Sequence, residues 1–237
     1  MNLKSIIAAT VFSLIVISPA LSQISLGVEG GANLANISQN YVDQTNEIPT
    51  IFRFTGHIGA KVVYGLKEGI NIHSGLYISG KGHSTNLAAY FDDPTIDIKG
   101  YIRKKITYVE VPLNVSFNVG PVDLVAGPYI AFAAKGRNEW SYDITGAFTL
   151  SDSGSELIQF SDHKIRRNGM EEVKGLDIGL NLGVRYSIDP VVVGLTFDKG
   201  LTNLTPTDPN DPSYDPASEK VTNTGLRFSV AYIFKQF

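Results

Sequence analysis

Thr222-Asn-Thr-Gly-Leu-Arg-Phe-Ser-Val-Ala-Tyr-Ile-Phe-Lys-Gln-Phe237 alternates apolar and polar residues. Leu226, Phe228, Val230, Tyr232 and Phe234 fall on one face of an extended chain, and Gly225, Arg227, Ser229 and Ala231 on the other. Successive side chains of a strand point to opposite faces, so one side is oily and the other accommodates an arginine. The stretch reads as a strand. Seven further segments carry the same period of two, near 24–35, 51–64, 69–81, 105–119, 121–136, 173–187 and 190–202. The clearest is 173–187, where Leu176, Ile178, Leu180, Leu182, Val184 and Tyr186 oppose Gly175, Asp177, Gly179, Asn181, Gly183 and Arg185.

The connections alternate as regularly as the residues do. Gly65-Leu-Lys-Glu68, Gly120-Pro121 and Asp189-Pro190 read as tight turns, built from residues that tolerate or pre-set turn dihedrals. Long polar stretches at 36–50, 82–104, 137–172 and 203–221 separate them. Short turns on one side and long loops on the other mark an all-β, eight-stranded antiparallel up-and-down transmembrane β-barrel, with both chain ends on the short-turn, periplasmic side. Each segment is long enough for the roughly 9–11 tilted residues that cross the apolar layer.

The N-terminus supports export. Met1-Asn-Leu-Lys4 is basic, Ile6 to Ile17 is uncharged and largely apolar, and Ala20 and Ser22 are small. That run is shorter than the ~20 residues of a spanning helix, so it reads as a signal peptide rather than a retained anchor. Residues 1–22 are expected as signal peptide and 23–237 as the barrel domain. The chain has no cysteine, which excludes a lipoprotein anchor, disulfide staples and thiol chemistry. A net charge of −3 without a long basic run speaks against nucleic acid as partner. Twelve Phe, 11 Tyr and 23 Gly against 2 Met suit strands.

Alternation alone does not separate a membrane barrel from a soluble lipocalin-like one; the polar face does. It holds Glu29, Arg53, His57, Lys61, His73, Lys81, Glu110, Asp123, Lys135, Asp177, Arg185, Asp198 and Arg227, interspersed with glycines. Near-balanced charges among glycines suit a narrow lumen filled by its own side chains. Charge away from water is costly unless paired, so Glu29, Arg53, Lys61, Glu110, Asp123, Asp177, Arg185, Asp198 and Arg227 are expected as a lumen charge network. Within it, Glu110 and Asp177 should pair with Arg185 or Arg227 on neighbouring or closing strands, leaving no open pore. Aromatics of the oily face, such as Phe54, Phe117, Phe132, Tyr186 and Tyr232, gather toward strand ends, as at lipid–water interfaces.

Several short runs resemble one family. Gly27-Val-Glu-Gly-Gly-Ala-Asn33, Tyr108-Val-Glu-Val-Pro-Leu113, Gly127-Pro-Tyr129, Gly200-Leu-Thr-Asn-Leu204 and the Tyr232-Ile-Phe234 ending are similar to motifs of the PorT-like outer-membrane β-barrel family of Bacteroidetes-type Gram-negative bacteria. Gly75, and Thr196-Phe197, depart from that family's Glu and Arg-Tyr. The resemblance implies an outer-membrane location, and some members support secretion machinery.

Other chemistry is thin. His57, His73, His83 and His163 lack metal-ligand spacing, so neither metal nor cofactor is expected, although His57 and His73 could meet inside the lumen. No nucleophile sits in a catalytic setting. Pro206 to Pro216 brings three aspartates and four prolines, which read as a stiff solvated loop rather than a calcium site. Lys164, Arg166 and Arg167 could hold lipopolysaccharide phosphates, or form a plain solvated face. The expected partners are outer-membrane lipid, lipopolysaccharide and an envelope protein. The function expected is a non-enzymatic barrel with recognition loops or a role in envelope assembly; the alternatives are a narrow porin-like channel and an outer-membrane enzyme.

Overall fold

The computed structural model describes residues 23–41, 50–89, 96–146, 149–164, 171–210 and 219–236. The expected signal peptide therefore lies outside the described residues. The first strands are β1 (Ile24–Tyr41), β2 (Thr50–Ile51), β3 (Arg53–Lys67) and β4 (Ile70–Asn86). After a 3-10 turn at Leu87–Ala89 come β5 (Ile96–Val119), β6 (Val122–Gly146), β7 (Leu150–Leu157), β8 (Gln159–Phe160) and β9 (Glu172–Val173). The chain ends with β10 (Leu176–Ile188), β11 (Val191–Gly200) and β12 (Glu219–Gln236).

Antiparallel pairing runs β1–β3–β4–β5–β6–β10–β11–β12 and closes from β12 back onto β1. These eight strands form a ring without a free edge, the one sheet geometry whose backbone groups are all satisfied in hydrocarbon. The ring is an up-and-down barrel.

Burial along the ring inverts that of a soluble protein. Leu226, Phe228, Val230 and Tyr232 are exposed, while Arg227, Ser229 and Ala231 between them are buried. The same holds on β10, where Ile178, Leu180 and Leu182 face out while Asp177 and Asn181 are buried. The oily surface is therefore the outside of the barrel, and lipid is its solvent. Phe117, Tyr186 and Tyr232 ring the short-turn end, and Phe54 and Phe132 ring the long-connection end. From Leu176 to Tyr186 the strand advances ~33 Å, or about 25 Å along the barrel axis at a typical tilt. That matches the height of an apolar membrane band.

Hydrogen bonding outlasts the oily pattern. β5 has 24 residues and β6 has 25, so each extends to roughly 80 Å, far more than the band requires. Much of the stretches 82–104 and 137–172, expected as loops, is strand: β4 reaches Asn86, β5 begins at Ile96, and β6 runs to Gly146 with β7 paired beside it. Beyond the lipid the apolar alternation thins to short runs, such as Ile98 to Arg103, interrupted by Lys104 and Lys105, while the ladder continues. The first tight turn also shifts, with β3 running to Lys67 and Gly69 (φ 75°) supplying the left-handed residue in place of Gly65. A bulge where Thr107 pairs Lys135 and Tyr108 pairs Ala133 reverses the facing of β6. Lys135, expected inside, is exposed, and Gly136 faces inward instead.

Candidate functional site: the lumen and its outer cover

An eight-stranded ring has room only for its own side chains, so long residues from opposite walls meet. Lys81 of β4 reaches Asp177 of β10 at 2.9 Å and Glu110 of β5 at 3.0 Å. Arg227 of β12 crosses the lumen to Glu110 at 2.6 Å and also holds Asp198 of β11 at 2.8 Å. In the ring β5 and β12 lie on opposite sides, so Glu110–Arg227 is a strut across the barrel. Nearer the short-turn end, Lys61 holds Glu29 at 2.7 Å, and Arg185 lies 3.7 Å from the same carboxylate. Four carboxylates thus meet four cations, and this buried network is balanced in formal charge.

Neutral donors complete the set. Tyr129 Oη and Asn223 Nδ2 both donate to Asp177 Oδ2, at 3.2 and 2.9 Å. Lys81 Nζ also sits 3.9 Å from the centroid of the Tyr129 ring, a cation–π contact in the buried interior. Tyr129 fits because Gly179 faces it: a Cβ there would stand 2.5 Å from the ring and 2.4 Å from the Lys199 carbonyl oxygen.

The pairing differs from the expectation at Asp177, which is held by Lys81 and not by Arg185 or Arg227. Glu110 does meet Arg227 of the closing strand, and the pair spans the lumen. Arg185 instead leans toward Glu29 and His73. Arg53 stands apart, its guanidinium donating to the Lys81 carbonyl at 3.0 Å. Asp123 is buried at the short-turn mouth, where it lines a 320 Å³ vestibule with Lys61 and His73, and its Oδ1 has no hydrogen-bond partner.

The histidines have separate partners. His57 Nδ1 meets Asn33 Oδ1 at 2.6 Å, while His73 Nε2 meets Ser116 Oγ at 2.7 Å. Arg185 Nη1 donates to His73 Nδ1 at 3.2 Å. Guanidinium only donates, so Nδ1 is the acceptor and Nε2 carries the proton that goes to Ser116. Among the described residues no group of three His, Cys, Asp or Glu is placed to hold a metal.

Above the network lies an apolar cover that periodicity did not reveal. Ile158, Val173 and Leu204, from the long connections, pack on Ile106, Tyr108, Tyr129 and Ala131 of the wall, with Phe160 beside them. β8 and β9 pair in parallel, and backbone bonds from Ile158 to Gly136 and from Ala133 to Gly175 tie this cover to β6. The only trace of it in the sequence is a few lone apolar residues in polar stretches. Two voids deep in the lumen measure about 10 and 20 Å³, close to the size of one water.

Lys164 donates its backbone N–H to the Thr207 carbonyl at 2.7 Å. Its expected companions Arg166 and Arg167 lie outside the described residues, as do Asp211 and Asp215 of the proline-rich loop.

A family model described as outer membrane protein beta-barrel domain matches residues 18–205. No curated protein matches the sequence. Among solved structures the chain is similar to Ail, the attachment invasion locus protein of Yersinia pestis, at 9% identity over 90% of this chain and 99% of that one, with a TM-score of 0.40. It is similar to neisserial surface protein A at 12% identity over 89% and 99% of the two chains, with a TM-score of 0.34. It is also similar to the outer membrane protease OmpT of Escherichia coli at 9% identity over 90% and 97%, with a TM-score of 0.35. These likenesses are of chain path.

Proposed function

The chain belongs to the outer membrane protein β-barrel domain family, and from that premise we propose that it is a non-conducting, non-enzymatic barrel whose outer connections recognise an envelope partner or the cell surface. The observation that carries this reading is Lys81 clamped between Glu110 and Asp177, with Arg227 strutting the lumen beside it. A solute path through the barrel would have to break buried ion pairs, at a cost of several kcal/mol each. The apolar cover at Ile158, Val173 and Leu204 would have to open as well.

The non-enzymatic reading is supported by the serine–histidine contact described in the lumen. Ser116 and His73 are in contact, yet the Arg185 contact leaves His73 without a free lone pair to take the serine proton. Ser116 is moreover fully buried.

The finer reading places the chain with PorT-like members and gives it a part in envelope assembly. It is supported by the position of Tyr108-Val-Glu-Val-Pro-Leu113, whose Glu110 is the carboxylate shared by Lys81 and Arg227. Residues 1–22 serve in this proposal as the export signal, and Lys164, Arg166 and Arg167 as contacts for lipopolysaccharide phosphates. Two experiments test it. Single-channel recording in planar bilayers should show no steady conductance, and a porin-sized one overturns the closed lumen. Pull-down from detergent-solubilised envelopes should recover one stoichiometric companion, and recovery of the barrel alone removes the assembly role.

A further inference from the structure

Outside the lumen, the part of β5, β6 and β7 that stands above the lipid forms a three-stranded sheet with two unlike faces. One face carries Asp97, Lys99, Arg103, Lys105, Arg137 and Glu139. The other is apolar: Ile98 pairs Ile144, Ile102 pairs Trp140, and Ile144 pairs Leu150. With Leu87 these residues line an open cavity of about 460 Å³, within the range of small-molecule sites. Ile98 is buried on this face, while Ile102 and Leu150 remain exposed.

The charges at its edge are unequal. Glu171 is held by Lys104 and by Asn138. Glu156 meets only Asn138 Nδ2, at 3.5 Å, and among the described residues no cation lies within ion-pair distance of it. Among the described residues that line the cavity, Glu156 is therefore the carboxylate without a cation. The aromatic element is held in place: Trp140 Nε1 donates to Asp152 Oδ2 at 3.0 Å, and the indole lies over Gly154, where a Cβ would stand 2.4 Å from the ring. An indole face attracts cations and covers flat apolar groups.

We propose that this cavity binds a small organic cation with an apolar or aromatic body, its charged end at Glu156 and its body against Trp140, Ile102 and Ile144. The proposal rests on the reading of the long connections as the recognition side, and names the site and ligand class there.

Trp140 is the chain's single tryptophan, so its fluorescence reports this cavity directly. The full chain in lipid nanodiscs is titrated with 4-phenylbutylamine, 4-phenylbutanol and 4-phenylbutyrate, which share a body and differ in charge. The amine should give a saturable change, with the alcohol about three- to fivefold weaker, as one half-exposed carboxylate contact supplies, and the acid weaker still. Glu156→Gln should abolish the amine's advantage and keep the alcohol's binding, and Glu156→Lys should make the acid the best of the three. A non-saturable response common to all probes overturns the site. An amine preference that survives Glu156→Gln overturns the assignment of the charge. Neither result touches lumen closure, which conductance reads separately.

Discussion

Lys81 is the residue whose loss should be felt most. Its ammonium is buried between Glu110 at 3.0 Å and Asp177 at 2.9 Å. In Lys81→Met the stem survives and the charge is gone. Asp177 then keeps only Tyr129 and Asn223, while Glu110 shares Arg227 with Asp198. Three carboxylates would then be left with one guanidinium, which reaches only Glu110 and Asp198. Breaking a buried pair from one side costs about 3–5 kcal/mol, because the remaining charge is left without compensation. At a denaturant slope of about 2 kcal/mol per molar, the urea midpoint of the vesicle-folded barrel should fall by roughly 2 M. Removing both sides should behave differently: Lys81→Met with Glu110→Gln and Asp177→Asn leaves no orphan ion and should recover most of the loss. Unfolding followed by tryptophan emission and by gel mobility measures both variants. A single variant within about 1 kcal/mol of the parent refutes the clamp as a stabilising contact, and so does a triple variant as weak as the single.

Three further perturbations probe other parts of the molecule. Leu182→Arg, on the exposed oily face near the middle of β10, should cost about 2–4 kcal/mol in bilayers; near-neutral folding into vesicles would contradict a lipid-facing exterior. Gly179→Val drives a side chain into the Lys199 carbonyl and the Tyr129 ring, and should lower the urea midpoint by an amount corresponding to about 1–3 kcal/mol or more. His83 lies on β4 above the lipid band, where burial first, and the Lys104 ammonium second, hold its pKa down to about 4 against an opposing pull from Glu171. Its folded pKa is below the unfolded value of about 6.5, so the stability it contributes is present above pH 6.5 and is lost as pH falls toward 4. Protease cleavage of the outer hairpin should rise over that window, and His83→Gln should flatten the dependence.

Within the lipid band the sequence carries nearly all of the architecture. A strand there has hydrocarbon on one side and a filled lumen on the other, so Leu226 and Arg227, or Ile178 and Asp177, must alternate, and strand number and facing follow from counting. Each turn residue adds a local preference of the same kind, which identifies Gly120 at its turn but does not decide between Gly65 and Gly69 at another. Above the band β5 and β6 keep unlike faces, but Lys104 and Asn138 interrupt the apolar one, and much of the pairing there rests on backbone hydrogen bonds that residue type does not mark. The bulge that turns Lys135 outward has the same origin.

What lies inside the barrel was legible as a set of residues and not as a set of pairs. Composition identified carboxylates and cations that must neutralise one another, because a narrow lumen excludes the water that would solvate them. Which cation serves which carboxylate depends on how far a side chain reaches across the ring. Lys81 meets Asp177, and Arg227 meets Glu110, only once closure of β12 on β1 brings opposite walls together. The cover at Ile158, Val173 and Leu204 and the cavity at Trp140 likewise join residues far apart in the chain, and such contacts are decided by tertiary structure because no local pattern encodes a distance across a closed sheet.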